Sequence, residues 1–351
     1  MESRQSLNFT TSSPTSYTDE EFYNKISHLN YILNGMFCSI IFILGTVGNG
    51  LVIWITGFRM KKTVNTIWFL NLGIADFSFC LFLPFQILSW ALDYHWHFGQ
   101  IMCKVVCTSF HLNMQVSIFF LMAISVDRCT SVLCPVWSKN HRSVKLAKNI
   151  SVIIWLFSLT LSSPYLVFYD TGHIPDSNIT YCGQTYAAWK NTSFDSQTFH
   201  LRRTVMSFTN LISMFLIPFS IILVCYGLIA FWIRKSSKRL GSSRTFKTIV
   251  ATVLCFFCCS FFFHLLHLLD FIEVDINSVF ANIMSNVAES LAIFNSCLNP
   301  MIYVFVGRDF KISLRKSIPF LLESAFREEK EDPLEAHDNA GVGIELVPCH
   351  A

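Results

Sequence analysis

Long apolar runs separated by short polar ones dominate this chain. Seven stretches, roughly 31–57, 64–92, 101–131, 146–168, 203–233, 246–272 and 279–306, are apolar along most of their length. Each exceeds the ~20 residues needed to cross a ~30 Å hydrocarbon core, so each predicts a tilted or protruding membrane-spanning helix. In six of them a strongly polar or helix-breaking residue lies deep in the span; 246–272 departs from that habit. An unsatisfied polar group in hydrocarbon costs several kcal/mol, so these residues imply a working interior. The pattern predicts an all-α membrane protein, a seven-transmembrane helix bundle over 31–306. A polar extracellular tail is expected at 1–30, a short cytoplasmic amphipathic helix at 307–317 and a disordered cytoplasmic tail at 318–351.

Composition agrees with the pattern. Of 351 residues, 52% are hydrophobic and only 14% charged, too apolar for an ordinary soluble domain. The distribution of charge says more than the net +3. Arg59, Lys61 and Lys62 follow the first span; Lys139, Arg142, Lys145 and Lys148 lie between the third and fourth. Arg234, Lys235, Lys238 and Arg239 follow the fifth, and Arg308, Lys311, Arg315 and Lys316 the seventh. The alternate loops and the N-terminus carry Asp19, Glu20, Glu21, Asp93, Asp170, Asp195 and Glu273 instead. The positive-inside rule then puts the N-terminus outside and the C-terminus in the cytoplasm, in a multi-pass protein. Residues 1–30 lack the apolar core of a signal peptide, so the first span is expected to serve as the insertion signal.

Two details support that orientation. Sequons at Asn8, Asn178 and Asn191 all fall on the expected outer side and are N-glycosylation candidates; Asn149-Ile150-Ser151 falls on the inner side and is discounted. Most of the 13 cysteines lie within apolar spans, where a small buried hydrophobe is the default. Cys103 starts the third span and Cys182 lies in the outer loop after the fourth. Both face an oxidising compartment, which predicts a disulfide pinning that loop across the bundle mouth.

A set of motifs then appears in order, on the matching spans. The first span holds Gly48-Asn49, the second Leu72-Gly73-Ile74-Ala75-Asp76. The third ends in Asp127-Arg128-Cys129, the fourth has Trp155 and Pro164, the fifth Pro218 and Tyr226, and the seventh Asn299-Pro300-Met301-Ile302-Tyr303. This set resembles the rhodopsin-like (class A) G-protein-coupled receptors over roughly 31–317. Further runs, Asp93-Tyr94-His95-Trp96-His97-Phe98-Gly99, Cys134-Pro135-Val136-Trp137-Ser138 and Phe305-Val306-Gly307-Arg308-Asp309-Phe310, resemble the chemoattractant branch. They are most similar to chemerin (chemokine-like) receptors, then to formyl peptide receptors. The resemblance implies a plasma-membrane receptor for a peptide or small protein, coupled mainly to inhibitory G proteins, with arrestin as a further partner. It implies no nucleic-acid partner.

Three sites follow. Asp76, Asn113, Ser117, Asn295, Ser296 and Asn299 gather oxygen atoms by their helical spacing around one mid-membrane carboxylate. Hard cations take such ligands, and the resemblance makes the cation an allosteric sodium ion; a water network is the alternative. No other cofactor and no structural metal is expected. At the inner end, Asp127 is expected to hold Arg128 at rest, with Tyr226, Asn299, Pro300 and Tyr303 completing an activation switch. The outer half is expected to form the ligand pocket from Phe110, His111, Met114, Asn210, His264, His267, Asp270 and Glu289. Glu289 lies roughly 15 Å outward of Asn299 at 1.5 Å rise per residue. A charge there predicts either a cationic ligand group or an internal pair with His264 or His267. The acidic run Tyr17-Thr18-Asp19-Glu20-Glu21-Phe22-Tyr23 suits steering of a basic ligand, with a solvated tail as the alternative.

The sixth span departs from the resemblance. It reads Cys255-Phe256-Phe257-Cys258-Cys259-Ser260-Phe261-Phe262-Phe263-His264, with Ser260 and Phe262 where relatives carry tryptophan and proline. Losing the proline removes its kink, so a straighter helix and a stiffer outward swing are expected. After Ser324 the tail has no Ser or Thr. A decoy receptor that binds and signals weakly is therefore the alternative to a signalling one. No repeat or broken-helix pair suggests a transporter, and no catalytic constellation suggests an enzyme.

Overall fold

The computed structural model describes residues 17–92, 94–174, 178–185, 196–235, 254, 257–266, 268, 278–306 and 312. The expected cytoplasmic helix at 307–317 lies outside these residues except for Ile312, and the tail at 318–351 lies wholly outside them.

Helix α1 spans Tyr17–Trp54 and runs on as a π-helical turn, Ile55–Arg59. It begins well ahead of the expected start at 31, because Tyr17 to Asn30 contains no Pro or Gly to stop it. The second span is two helices, α2 (Val64–Cys80) and α3 (Leu83–Ala91). Thr63 caps α2 reciprocally with Thr66. Pro84 lacks the N–H that would bond the Cys80 carbonyl, which accounts for the break at Leu81–Phe82. The third span, α4 (Gly99–Leu133), is unbroken. A short helix that the hydropathy pattern does not announce, α5 (Pro135–His141), follows it.

Ser143 caps α6 (Val144–Ser162), and α7 (Tyr165–Phe168) completes the fourth span. Pro164 divides them, and the Ser163 hydroxyl donates at 2.8 Å to the Thr160 carbonyl that the proline leaves unpaired. Next comes an antiparallel hairpin of β1 (Tyr169–His173) and β2 (Thr180–Gln184), with Thr171 opposite Cys182. The sequence reading, all-α, contains no such hairpin. The fifth span is α8 (Ser196–Asn210), a π-helical stretch Leu211–Leu216, and α9 (Ile217–Lys235). The sixth contributes α10 (Phe257–Leu266) and the seventh α11 (Ser278–Val306).

Five of the described helical segments, His28–Arg59, Val64–Ala91, Gly99–Leu133, Val144–Phe168 and Gln197–Ile233, are long and apolar enough to cross a membrane. Their outward faces are large exposed hydrophobics such as Ile43, Val47, Ile153, Leu156, Leu223 and Phe231, as lipid contact demands. Helix α4 is the central post, packing on α2, α6 and α9, while α1 packs on α2, α3 and α11. The main core joins Val52, Trp68, Leu72, Val116, Phe120, Ile124, Ile154 and Ile222.

Close helix approach is built into α1. A Cβ on Gly48 would lie 2.9 Å from Pro300 Cγ, so glycine lets α1 touch α11 at its proline. Beside it Asn49 Nδ2 donates to the Gly45 carbonyl at 2.9 Å and to the Ser296 carbonyl at 2.8 Å.

Candidate functional site

At mid-membrane Asp76 is fully buried on α2. Its Oδ1 accepts from Asn113 Nδ2 at 3.0 Å and from Ser117 Oγ at 3.4 Å, and its Oδ2 accepts from Asn299 Nδ2 at 2.9 Å. Ser296 Oγ in turn donates to Asn113 Oδ1 at 3.4 Å. Residues from α2, α4 and α11 thus meet on one carboxylate. The structure differs from the expected set in one member: Asn295 is buried but makes no hydrogen bond to Asp76. Its neighbour Ser296 faces the site instead, since adjacent helical residues point about a quarter-turn or more apart. Asp76, Ser117, Ser296 and the Asn113 carbonyl oxygen form an oxygen set that suits a hard cation.

At the inner end the expected Asp127–Arg128 clamp is not the main contact. Asp127 Oδ2 lies 3.9 Å from Arg128 Nη2, whereas Arg142 binds Asp127 with both ends, Nε to Oδ1 at 2.7 Å and Nη2 to Oδ2 at 3.0 Å. The physical reason is helix geometry: consecutive residues do not face each other. Arg128 turns to α2 and donates to Asn65 Oδ1, which also accepts from Arg142 Nη2 at 2.7 Å. Asn65 belongs to no motif and Arg142 stands in the sequence as a basic loop residue; the tertiary fold shows that they share partners. Tyr226 lies half-buried against Cys129, Cys225 and Ile229, within electrostatic reach of Arg128. Pro300 lies inside α11. Tyr303 continues that helix, and its side chain is outside the described residues.

In the outer half Met114, Met214 and Ala292 form a small buried floor, with Phe110 and Phe263 packed on it. Phe110 also meets the rings of Phe79 at 5.8 Å and Phe263 at 5.6 Å. Glu289 stands one turn outward of Ala292 on the same face of α11. Among the described residues no hydrogen bond or ion pair holds its carboxylate, so the expected pairing with His264 is not formed. His264 is buried instead, its ring 5.6 Å from Phe215. His267 and Asp270 lie outside the described residues. Near Glu289, Tyr94 adopts a left-handed backbone (φ 64°), packs its ring tilted against Tyr31 at 4.6 Å and donates to Asn286 Oδ1 at 3.4 Å. Asn210 is half-buried at the end of α8.

His111, expected in the ligand pocket, is covered by its neighbours. It is 3% exposed and stacks flat on Tyr165 at 3.6 Å, with Nε2 3.2 Å from the Tyr169 hydroxyl. Gln184 Nε2 donates to that hydroxyl at 2.9 Å. His111 therefore buttresses the hairpin from below. The Cys103–Cys182 disulfide is formed, with Cα atoms 5.6 Å apart, and fixes the hairpin to α4. Asn178 is exposed where the hairpin turns; Asn8 and Asn191 lie outside the described residues.

The profile of the 7 transmembrane receptor (rhodopsin family) matches residues 48–303, from the α1 glycine beside Pro300 to the tyrosine after it. The chain belongs to the rhodopsin family of seven-transmembrane receptors. This receptor is 40% identical over 338 residues to "Formyl peptide receptor 2" of Mus musculus, covering 94% of this chain and 93% of that one. It is 40% identical over 331 residues to "N-formyl peptide receptor 2" of Homo sapiens, covering 92% and 93%. To "Chemerin-like receptor 1" of Sus scrofa it is 42% identical over 310 residues, covering 84% and 85%. The receptor is a multi-pass membrane protein and not an enzyme; its partners are an extracellular ligand and a G protein.

Proposed function

We propose that this receptor binds a chemoattractant peptide or small protein in the outer half of its bundle and couples to inhibitory G proteins. It stands in the plasma membrane with its N-terminus outside. The names of its relatives, formyl peptide and chemerin-like receptors, support the ligand class. The observation that carries the reading is Glu289: a carboxylate in the outer bundle, above an apolar floor of Met114, Met214 and Ala292, with no ion-pair partner among the described residues. A half-buried, unpaired charge in this setting is costly unless a ligand cation meets it, so the ligand carries a Lys or Arg side chain or an amine into the pocket. A sodium ion held by Asp76, Ser117, Asn113 and Ser296 at rest fits the same scheme, as does arrestin as a second inner partner.

The test is a dose–response series on Glu289→Gln with chemerin-like and formylated peptides. Loss of one charge-assisted contact shifts potency by about tenfold or more, equal to about 1.4 kcal/mol. Unchanged potency at equal surface expression sinks the assignment.

A decoy receptor is the second reading, favoured by the sixth span. Helix α10 runs unbroken through Phe262, and Ser260 is fully buried where relatives carry a bulky aromatic. G-protein activation and ligand uptake measured in the same cells separate the two: uptake without activation selects the decoy.

A further inference from the structure

Cys107 stands one helical turn further along α4 than Cys103, and its Sγ lies 3.5 Å from Cys182 Sγ. The sulfur atoms of Cys103, Cys107 and Cys182 all fall within 4.8 Å of one another. Residues four apart share a helix face, so both α4 cysteines address the same residue of β2. Cys107 is a free thiol and half-buried. Thiol–disulfide exchange needs a free thiol beside a disulfide sulfur, and the fold supplies that arrangement within one chain.

We propose that Cys182 has two alternative disulfide partners, and that Cys107 is a resident thiol that moves the hairpin's anchor from Cys103 to itself. In the step, Cys107 loses its proton to solvent and its thiolate attacks Cys182 Sγ from a rotamer in line with the existing bond. The Cys107–Cys182 bond forms as the Cys103–Cys182 bond breaks. The bonding pair leaves on Cys103 Sγ, which takes up a proton. One disulfide and one thiol stand on each side, so no oxidant or reductant is consumed.

The exchange has a structural effect because it acts along the helix axis. Four residues of α4 rise about 6 Å, so the new anchor is one turn deeper in the bundle. The hairpin carries Tyr169 and Gln184, whose hydroxyl and amide bridge to His111 over the outer pocket. Gln100 Nε2 holds Asp170 at 2.9 Å and Trp96 N donates to the Thr180 carbonyl at 2.7 Å, so these outer contacts are put under load as the Cys107 and Cys182 sulfurs, 3.5 Å apart, close to bonding distance. The receptor thus has two positions for the roof of its pocket, set by one sulfur–sulfur bond.

Disulfide mapping tests the idea on the full chain. Purified receptor is held for hours at mildly alkaline pH without added thiol, then alkylated, digested without reduction and analysed by mass spectrometry. Uncatalysed rearrangement takes minutes to hours, which sets the time base. The expected result is a shift of the alkylated site from Cys107 towards Cys103, with a Cys107–Cys182 linked peptide appearing. Cys107→Ser shows neither. Label on Cys107 alone at every time overturns the proposal. A second variant, Cys103→Ser, matures in the secretory compartment, whose disulfide-forming oxidases supply the oxidant. There Cys107 and Cys182 are expected to be linked, with surface expression above that of Cys103→Ser/Cys107→Ser. Alkylation of both Cys107 and Cys182 in that variant overturns the proposal equally.

Discussion

Asn49 Nδ2 donates at 2.8 Å to the carbonyl of Ser296, the same carbonyl that Pro300 leaves without its helical partner four residues on. One buried amide on α1 repairs the defect that the proline makes in α11. Removing it strands a carbonyl in a dry core, at a cost of about 1–3 kcal/mol. Asn49→Leu is therefore expected to lower the melting temperature of detergent-solubilised receptor. Pro300→Ala restores an N–H to the Ser296 carbonyl, so in a double-mutant cycle Asn49→Leu costs less in the Pro300→Ala background. Strictly additive losses would show that the contact is not what couples the two helices.

Arg142 occupies both oxygens of Asp127 and shares Asn65 with Arg128. The inner loop thereby tethers the end of α4. The pair is partly exposed, with the Arg142 side chain 30% and the Asp127 side chain 10% accessible, so its worth is held to roughly 1 kcal/mol. Arg142→Ala should raise basal nucleotide exchange on the receptor's G protein severalfold. Basal exchange equal to that of the unmodified receptor, at matched surface density, would remove the tether from the account.

Five of the spans and the Asp76 hydrogen bonds are legible because hydrocarbon forces buried polar groups to find partners, and helical spacing says which residues share a face. Cys103 and Cys182 stood out as the cysteines of the outer side. Asn65 and Arg142 were not legible, because their partnership depends on how α5 returns the chain to α2 and α4. The Asp127–Arg128 pair is long, 3.9 Å, and secondary to Arg142, because sequence neighbours on a helix diverge. The cover over His111 is not legible, because Tyr165 and the hairpin come from the fourth span and the loop after it. The breaks at Leu81–Phe82 and at Pro164 could have been found from Pro84 and Pro164 alone.

Gln115 is fully buried on α4, and neither its amide oxygen nor its amide nitrogen has a hydrogen-bond partner among the described residues. His111 meets Tyr165 and Phe119 meets Phe157, so Gln115, midway between, is level with Ser158 and Ser162. Their hydroxyls are likewise without partners among the described residues. An unsatisfied buried polar group costs about 1–3 kcal/mol. Gln115→Leu, similar in volume, is expected to raise the melting temperature. A fall instead would mean that the amide is bridged to these serines by ordered water.

The sodium reading makes its own demand. Replacing sodium by a bulky organic cation should raise agonist affinity in the unmodified receptor, because an ion that prefers the resting state is removed. In Asp76→Asn the carboxylate is gone, and affinity should no longer respond to sodium. Sensitivity that survives the substitution would assign the site to water.

The π-helical stretch Leu211–Leu216 has a consequence for how this receptor moves. Each such turn takes up one residue more than an α-turn, so the faces of α8 and α9 are out of phase with each other. Asn210 above and Tyr226 below cannot be laid on a single helical wheel. The fifth span is therefore two half-helices joined at a soft turn, with Pro218 just beneath it. In a chain whose sixth span has lost its proline, the neighbouring fifth keeps a place where the outer half can turn without carrying the inner half rigidly with it.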